Sequence, residues 1–325
     1  MPHVVVVAPS RLHFGLSAFA DSPHAFGGCG VMIDEPRLVL TIEDADEPTA
    51  AGPLAGRIDA FMGAAAPLLG GRKPRCRVSA PSPPPEHAGL GLGTQLGLSV
   101  AAGIAAWARG GVRPAVELAE AVGRGRRSAV GTHGFEHGGL ILDGGRPACH
   151  AIGRLERRVV MPESWRVLLV TPVAEEGLSG EREAAAFDGV GGIPPDLTVQ
   201  LRALAARLAD AAASSDFDSF ASALGEYGRR AGECFSAVQG GPFASPQIAA
   251  LIARLNRLGA AGAGQSSWGP TVFAPAPSRA AASELRDALL AQAGPPVLSA
   301  RVTRFNNTGA VVRVMEGPGE EPFLL

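Results

Sequence analysis

The chain has 325 residues, with 29 basic and 31 acidic side chains and a formal net charge of −2 at pH 7. A nucleic-acid binder is usually basic overall or carries a long basic stripe, and the sequence shows neither, so we expect no nucleic-acid partner. This length suits two domains of ordinary size or one large one, and hydrophobic residues make up 46% of the chain, which is enough for a real core. No apolar run approaches the ~20 residues of a membrane helix, so we expect no membrane partner.

The N-terminal segment and the cysteines of the sequence predict a cytoplasmic protein. The run VVVVAP follows only three residues, lacks a basic leader and is too short for a signal peptide, so it predicts a strand. The four cysteines are scattered and form no CxxC pair, which predicts neither a zinc site nor a disulfide framework. They are Cys29, Cys76, Cys149 and Cys234.

The first half of the chain mixes predicted strands and helices. A strand, a Pro-Ser turn and a second strand segment are expected over residues 4–19. Next come, in order, a glycine loop at 26–30, a β-rich run at 31–45, a helix at 56–69 and a strand at 74–80. Prolines exclude a helix at 81–85, and helices are predicted after them at 96–110 and 116–123.

The second half is predicted to be mainly helical around a few strands. A polar break at 153–158 precedes a buried strand at 165–172, so we place domains at residues 1–160 and 161–325. Further helices are expected at 197–213, 216–238, 246–258 and 280–292, with strands at 271–274, 297–304 and 310–315. The last two strands are expected to close the second domain. This order predicts an α+β sandwich.

A glycine-rich loop, HAGLGLGTQLGLS, spans residues 87–99 and runs into a predicted helix. Glycines let backbone N–H groups converge on an anion, and the helix adds its positive end. Thr94 would then lie in the first helical turn, within reach of a phosphate or its Mg²⁺. Glycines of this spacing also serve plain tight turns, but the helix that follows favours phosphate binding.

The segment GRGRRSAVGTHGFEHGGLILDGG, residues 123–145, contains three closely spaced arginines. Each guanidinium can bind two phosphate oxygens at once. For any one of Arg124, Arg126 and Arg127 a solvated position after a helix is the simpler interpretation. Together they indicate a small phosphorylated ligand.

The same segment contains His133, Glu136 and His137 in the order H-x-x-E-H, which matches the inverted zinc-protease signature. That signature needs a helix to place both histidines on one face. Glycines surround it and lower the helix propensity, so we set zinc proteolysis aside. The three side chains are expected to line a pocket or to satisfy turn hydrogen bonds.

Two other clusters carry polar groups. Ser10, Arg11 and His13 follow the first strand, and alternation puts Arg11 and His13 on the same face. The turn GAGQSSWGP places Trp268 beside polar residues, an arrangement that suits a flat ring ligand as well as ordinary core. Its polar members are Gln265, Ser266 and Ser267.

These motifs occur in an order that resembles the GHMP kinase superfamily. They are APSRLHFGL, GLGLGTQLGLS, GRGRRSAVGTHGFEHGG and GAGQSSWGP, and they span nearly the whole chain. Within that superfamily they are most similar to the β-ribofuranosylaminobenzene 5′-phosphate synthases of tetrahydromethanopterin biosynthesis. The resemblance implies an N-terminal β-α-β domain carrying the phosphate loop and a C-terminal ferredoxin-like α/β sandwich.

The sequence departs from the kinase pattern at two places. Where kinases of this superfamily carry two hydroxyl residues at the end of the loop, this chain has Thr94 and Gln95. Counting back from the Gly-Gly pair, Gly131 stands where many of them carry a catalytic aspartate. That aspartate orients or deprotonates the acceptor hydroxyl, and glycine can do neither. The kinase frame is therefore expected without the kinase base.

The synthase resemblance implies a pentosyltransferase reaction that does not need that base. Phosphoribosyl pyrophosphate would be joined to 4-aminobenzoate or 4-hydroxybenzoate, with release of pyrophosphate and CO₂. Relatives in this family often carry an acid shortly after the first motif, where this chain has Ala18. Asp21, Asp143 or Glu136 would have to replace it.

The resemblance also assigns expected roles to the candidate residues. Arg11, His13, Glu136 and His137 are expected at the reacting centre, and Mg²⁺ is expected on Thr94 and Asp143. Substrate binding is expected from Gly89, Gly91, Gly93, Thr94, Gln95, Arg124, Arg126, Arg127, Gln265, Ser266, Ser267 and Trp268. The alternatives are an ATP-dependent kinase with Glu136 or Asp143 as its acid, and a ligand-binding homologue without catalysis. Apolar helices in the second domain favour a homodimer.

Overall fold

The computed structural model describes residues 3–18, 24–108, 111, 113–173, 192–315 and 323–324. Asp21, one of the acids considered above, lies outside them. Within these ranges, no helix is long and apolar enough to cross a membrane.

An eight-stranded sheet is built on two long antiparallel strands, β1 (His3–Leu16) and β3 (Gly28–Asp44), which pair from Val4 opposite Ile42 to Leu16 opposite Gly28. Its other strands are β4 (Thr49–Ala51), β5 (Cys76–Ser79), β6 (Leu140–Asp143), β8 (Leu155–Val159), β13 (Val311–Met315) and β14 (Phe323–Leu324). The main path of the sheet runs β14-β13-β1-β3-β5-β4, and β6 pairs with both β3 and β8. A separate two-stranded ribbon pairs β2 (His24–Ala25) with β7 (Arg146–Pro147).

The predicted Pro-Ser turn inside the first strand is not a turn. β1 continues through Pro9, with a shift in register between Ala8 and Ser10. A bulge accommodates proline in a strand because the missing N–H falls where the ladder is already interrupted. The strand therefore runs without a break from the hydrophobic core of the first half of the chain to the cleft described below.

The described residues of this half of the chain include four helices. They are α1 (Ala55–Ala64), α2 (Leu92–Trp107), α3 (Ala115–Ala121) and α4 (Val130–His137). A short 3₁₀ turn (Ala66–Leu69) follows α1. Helix α2 is buried along most of its length, and it approaches the sheet at Gly103, where an added Cβ would lie 2.1 Å from Ile42 Cδ1.

A four-stranded antiparallel sheet in the order β10-β11-β9-β12 forms the second half. Its strands are β9 (Arg166–Pro172), β10 (Gly264–Gln265), β11 (Val272–Ala276) and β12 (Val297–Arg304). The helices are α5 (Pro195–Ala213), α6 (Phe217–Glu233), α7 (Ser236–Gln239), α8 (Pro246–Arg257) and α9 (Arg279–Ala291).

The two halves share a hydrophobic cluster, and one strand from the second half joins the sheet of the first half. One hydrophobic cluster joins Phe14 of β1 to Tyr227 of α6 and Phe273 of β11. The predicted strand at 310–315 exists as β13, but it pairs with β1, His3 opposite Met315, instead of closing the second sheet. Alternating apolar residues indicate a strand without indicating its partner. The boundary at residue 160 stays a prediction.

Helix α6 packs closely on the turn that precedes β10, and this contact depends on Gly225. A Cβ added at Gly225 would lie 2.4 Å from the backbone oxygen of Ala261, whereas one added at Gly228 would meet nothing within 4 Å. We expect Gly225→Ala to lower the free energy of unfolding by about 1–3 kcal/mol, because the backbone must shift. Gly228→Ala, on the same helix, should raise it by about 0.5–1 kcal/mol. Urea unfolding of both variants tests this, and equal effects would contradict it.

Candidate functional site

A cleft of about 500 Å³ lies where strand β1, the loop after α3, the end of α6 and the turn after β10 meet. Its lining brings together nine of the residues expected at the site, contributed by segments far apart in the sequence. They are Arg11, His13, Thr94, Arg124, Arg126, Arg127, Gln265, Ser267 and Trp268.

The buried hydroxyl of Ser266 holds three of these segments together. Its Oγ accepts a hydrogen bond from the backbone N–H of His13 at 3.1 Å and donates one to the carbonyl of Gly89 at 2.8 Å. The neighbouring N–H of Ser267 donates to the carbonyl of His13 at 3.0 Å. Ser266 itself does not line the cleft, and its contribution is to fix β1, the glycine-rich loop and the 265–268 turn in register.

The glycine-rich loop delivers the N-terminus of α2 to the cleft. Gly89 and Gly91 both have positive φ, 75° and 73°. Gly89 packs so closely on the turn that an added Cβ would lie 2.4 Å from the Ser266 carbonyl oxygen. Thr94, in the first turn of α2, lines the cleft. Gly89, Gly91 and Gly93 shape the loop without lining the cleft.

Four arginines give the cleft its charge. Arg124, Arg126 and Arg127 stand on a loop bent by positive φ at Gly123 and Gly125, and Arg11 projects from β1. The described lining contains these arginines and His13 but no aspartate, glutamate or lysine. The described part of the lining is therefore positively charged, which suits an anion with several charges.

One arginine near the first turn of α2 was not anticipated from the sequence. A Cβ added at Gly93 would lie 3.0 Å from Nη2 of Arg57 and 3.8 Å from Cζ of Arg124. Arg124 also stands over the Phe61 ring, 5.0 Å from its centroid, and Arg57 is ion-paired with Glu86. Both guanidinium groups add to the positive end of the helix. Arg57 belongs to no motif, so nothing in the sequence indicated it.

Aromatic side chains form the wall of the cleft contributed by the second half of the chain. The rings of Phe235 and Trp268 meet edge to face, with centroids 4.7 Å apart and an interplanar angle of 75°. Phe243 also lines the cleft. Gln265 secures this wall, because its Oε1 accepts from Ala244 N–H at 2.8 Å and its Nε2 donates to the Ser267 carbonyl at 2.7 Å.

His13 borders the cleft although its side chain is almost wholly buried. Its Nε2 is hydrogen-bonded to Oγ of Ser128 at 3.0 Å. Burial, and secondarily the charge of Arg11, lowers the pKa of His13 well below its usual value. The imidazole is therefore neutral near pH 7. Ser128 is the last residue of the GRGRRS motif, yet the sequence alone did not single it out.

Asp143 is buried behind this part of the cleft and does not line it. Its Oδ2 accepts from Ala129 N–H at 2.6 Å and its Oδ1 from Gly145 N–H at 3.0 Å. Both oxygens thus satisfy backbone donors, and among the described residues no group of three or more potential ligands could hold a metal. The structure does not support Asp143 as a Mg²⁺ ligand.

The H-x-x-E-H segment is helical, contrary to our expectation, since it forms most of α4 (Val130–His137). Tertiary packing outweighs the low helix propensity of the glycines here. Gly134 lies so close to Met32 that a Cβ added at Gly134 would be 2.2 Å from the Met32 Sδ. His133 is buried and its Nε2 is hydrogen-bonded to the carbonyl of Gly153 at 2.8 Å. The helix therefore does not present the two histidines as a metal site.

Glu136 and His137 do not reach the cleft, so we withdraw their expected place at the reacting centre. Glu136 Oε2 accepts from Ala115 N–H at 2.8 Å, at the first residue of α3. His137 Nε2 lies 3.9 Å from Glu136 Oε1. Near the end of α4, the helix turns these side chains away from the arginine loop.

Comparison with known proteins identifies the fold. The family described as GHMP kinases C terminal matches residues 208–295. The homoserine kinase of Cytophaga hutchinsonii superposes with a TM-score of 0.69 at 15% identity, covering 95% of this chain and 97% of that one. Mevalonate diphosphate decarboxylase of Staphylococcus aureus gives 0.67 at 13% identity, covering 97% and 99%. The chain has the GHMP kinase fold.

Curated relatives confirm the resemblance to the synthase family within this fold. The β-ribofuranosylphenol 5′-phosphate synthase of Methanothermobacter thermautotrophicus is 29% identical over 300 residues, covering 83% of this chain and 88% of that protein. The protein of the same name from Archaeoglobus fulgidus is 28% identical over 341 residues, covering 94% and 98%.

The GHMP fold places Gly131 against the start of α2. A Cβ added at Gly131 would lie 3.3 Å from Thr94 Cγ2 and 3.6 Å from Gln95 Nε2. Gln95, expected to bind substrate, is instead buried and donates from Nε2 to the Gly131 carbonyl at 2.9 Å. A side chain at position 131 would therefore start in contact with Thr94 and Gln95, the two residues at the expected hydroxyl positions.

The burial of Asp143 predicts that the free energy of unfolding depends on pH. Burial raises its pKa from 3.8 to about 6, although hydrogen bonds from the backbone N–H groups of Ala129 and Gly145 oppose the change. Because the pKa is higher in the folded than in the unfolded protein, binding of a proton to Asp143 stabilises the fold. This stabilisation is present below about pH 4 and is lost as the pH rises through about 6. At about 1.4 kcal/mol per pKa unit, this amounts to about 3 kcal/mol.

We therefore expect the free energy of unfolding of Asp143→Asn to rise by about 3 kcal/mol relative to that of wild type as the pH goes from 4 to 7. This change is expected whatever difference the two proteins show at pH 4. Urea unfolding of both proteins across this range measures the difference. A difference that does not change with pH would show that Asp143 ionises normally.

Proposed function

We propose that this protein is a pentosyltransferase that joins phosphoribosyl pyrophosphate to 4-hydroxybenzoate or 4-aminobenzoate, releasing pyrophosphate and CO₂, in tetrahydromethanopterin biosynthesis. The observation that carries the proposal is a cleft lined by four arginines and no described carboxylate, in a chain similar to proteins named β-ribofuranosylphenol 5′-phosphate synthase. A GHMP kinase would need an acid beside its acceptor, and both acids considered for that role lie outside the cleft.

The charged part of the cleft suits the phosphorylated substrate. Bond breaking at the anomeric carbon leaves negative charge on pyrophosphate and positive charge on the sugar ring. Arg124, Arg126 and Arg127, with the N-terminus of α2, would neutralise the leaving group as its charge develops. The N-terminus of α2 is fixed by packing before substrate binds, so this part of the site needs little reorganisation during the reaction.

The aromatic wall suits the benzoate. Trp268 and Phe235 offer ring faces and edges against which a flat substrate can pack. A ring held there beside the sugar needs only to bring its carboxylate-bearing carbon to the anomeric carbon. The new carbon–carbon bond forms there as the bond to pyrophosphate breaks. Loss of CO₂ then returns its electron pair to the ring and restores aromaticity.

Mg²⁺ is part of this proposal. Of the two expected protein ligands only Thr94 opens on the cleft, so the ion would be held chiefly by the pyrophosphate oxygens, as is common for Mg²⁺ on phosphate substrates. When bound, it would neutralise further charge on the leaving group. Phosphate monoesters and diphosphates do not cross membranes freely, so we place the reaction in the cytoplasm.

A homodimer is the assembly that we propose. Leu298 lies on β12, at one end of the four-stranded sheet, and Leu290 lies on the adjacent α9; both are exposed. Exposed apolar side chains beside an end strand favour pairing with a second copy. Light scattering of the purified protein measures the mass directly.

The reaction is tested with Mg²⁺, phosphoribosyl pyrophosphate and carboxyl-labelled 4-hydroxybenzoate or 4-aminobenzoate. We expect labelled CO₂ and pyrophosphate in equal amounts, and their loss when EDTA is added. ADP formed from ATP and an alcohol, without labelled CO₂, would identify a kinase. Ligand binding with neither reaction would identify a non-catalytic homologue.

Arg126 provides a test of the phosphate site, since it is exposed on the cleft and its removal should not disturb the core. Charge-assisted hydrogen bonds contribute about 1.5–3 kcal/mol, so Arg126→Ala should weaken phosphoribosyl pyrophosphate binding about 10- to 100-fold by calorimetry. Arg286→Ala, whose side chain pairs with Asp287 outside the cleft, is the matched control. Unchanged affinity in Arg126→Ala would remove this residue from the site.

A further inference from the structure

Helix α1 brings an arginine to the first turn of α2 through a close contact between the two helices. Arg57 and Phe61 lie four residues apart on α1 and therefore on one face, opposite Gly93 and Gly97 of α2. A Cβ added at Gly93 would lie 3.0 Å from Arg57 Nη2, and one added at Gly97 would lie 3.0 Å from Phe61 Cε1. The two glycines of α2 thus leave the space that this face of α1 occupies.

A second guanidinium group, from the arginine loop, lies at the same place. Cζ of Arg124 is 3.8 Å from the Cβ position of Gly93 and 5.0 Å from the centroid of the Phe61 ring. Arg124 and the adjacent Thr94 line the cleft, and Arg57 stands beside them, outside the described lining. Two guanidinium groups near one point repel each other, and an anion that binds both removes that repulsion.

Glu86 pairs with Arg57 in this structure, and a phosphate group can replace it. The ion pair joins Nη1 of Arg57 to Oε1 of Glu86, and the two side chains are 34% and 40% exposed. Ion pairs at such exposed positions contribute little to stability. A diphosphate carries more charge than a carboxylate and offers several oxygens to one guanidinium. A phosphate group at the first turn of α2 therefore competes well with Glu86 for Arg57.

We propose that Arg57 binds the terminal phosphate of phosphoribosyl pyrophosphate and gives up Glu86 to do so. This inference rests on the proposed function, in which the pyrophosphate group lies between the arginine loop and α2. The phosphate next to the sugar must stay in the cleft with the anomeric carbon, so the terminal phosphate is the one that can extend to Arg57, beside the lining.

This position gives Arg57 a part in the reaction and in the choice of substrate. When the bond between the anomeric carbon and pyrophosphate breaks, its electron pair passes to the pyrophosphate oxygen, and the leaving group gains one negative charge. A guanidinium on the terminal phosphate stabilises that charge. It also favours a sugar donor that carries a diphosphate over one that carries a single phosphate at the same carbon, because only the diphosphate reaches it.

Calorimetry with inorganic pyrophosphate, phosphoribosyl pyrophosphate and ribose 5-phosphate, each with Mg²⁺, tests the assignment. Arg57→Ala should bind the first two about 10- to 100-fold more weakly than wild type, because one charge-assisted contact is lost. Its affinity for ribose 5-phosphate, which has no pyrophosphate group, should equal that of wild type. Lys73→Ala is the matched control, since it removes a cation that pairs with Asp59 on the same helix, and it should bind all three ligands like wild type.

Glu86→Gln separates a phosphate-binding arginine from a merely structural ion pair. The variant frees Arg57 from its competing partner, so it should bind pyrophosphate about two- to fivefold more tightly, the range expected for an exposed ion pair. In the Arg57→Ala background the same substitution should change the affinity little, because the side chain for which Glu86 competes is gone. An ion pair that only held α1 in place would instead make Glu86→Gln bind as weakly as Arg57→Ala.

The outcomes distinguish this inference from the proposed function. Unchanged pyrophosphate affinity in Arg57→Ala, or Glu86→Gln that binds as weakly as Arg57→Ala, would overturn the role of Arg57 while leaving the transferase activity of wild type in place. An equal loss of ribose 5-phosphate affinity would also overturn it, since the effect would then not belong to the terminal phosphate. Wild type that binds pyrophosphate through Arg57 but releases CO₂ from neither aromatic acid would instead overturn the proposed function.

Discussion

The hydroxyl of Ser266 is the contact on which the rest of the site depends. It accepts from the backbone of β1 and donates to the glycine-rich loop, so one buried group fixes two segments of the first half against a turn of the second. A buried hydroxyl that both donates and accepts leaves no unpaired polar group. The positions of Arg11, His13 and the start of α2 relative to Trp268 follow from this contact.

Around that contact the GHMP fold carries a cleft whose chemistry differs from phosphoryl transfer. Position 131, where the resemblance to GHMP kinases implies a catalytic aspartate, is a glycine whose carbonyl accepts a hydrogen bond from the buried Gln95 side chain. Four arginines remain on the cleft without a described carboxylate. Such a site stabilises a departing pyrophosphate better than it activates an alcohol, which is the physical reason for preferring pentosyl transfer.

The sequence predicted the loop, the arginine cluster and the order of the motifs because these depend on local chemistry, as in the positive φ of Gly89 and Gly91. It could not predict contacts set by packing. The glycines of α4 looked unfavourable for a helix, yet Gly134 is needed for contact with Met32. Glu136 stands beside the arginines in sequence, but the helix turns it toward α3. Phe235 and Ser128 entered the site only through tertiary neighbours.

A crystal structure of the protein with phosphoribosyl pyrophosphate and Mg²⁺ tests the central claim most directly. We expect the pyrophosphate between the 124–127 loop and the N-terminus of α2, with Mg²⁺ on its oxygens near Thr94. The anomeric carbon should face the side of the cleft that carries His13 and Trp268. Pyrophosphate bound elsewhere, with the arginines directed to solvent, would contradict the account.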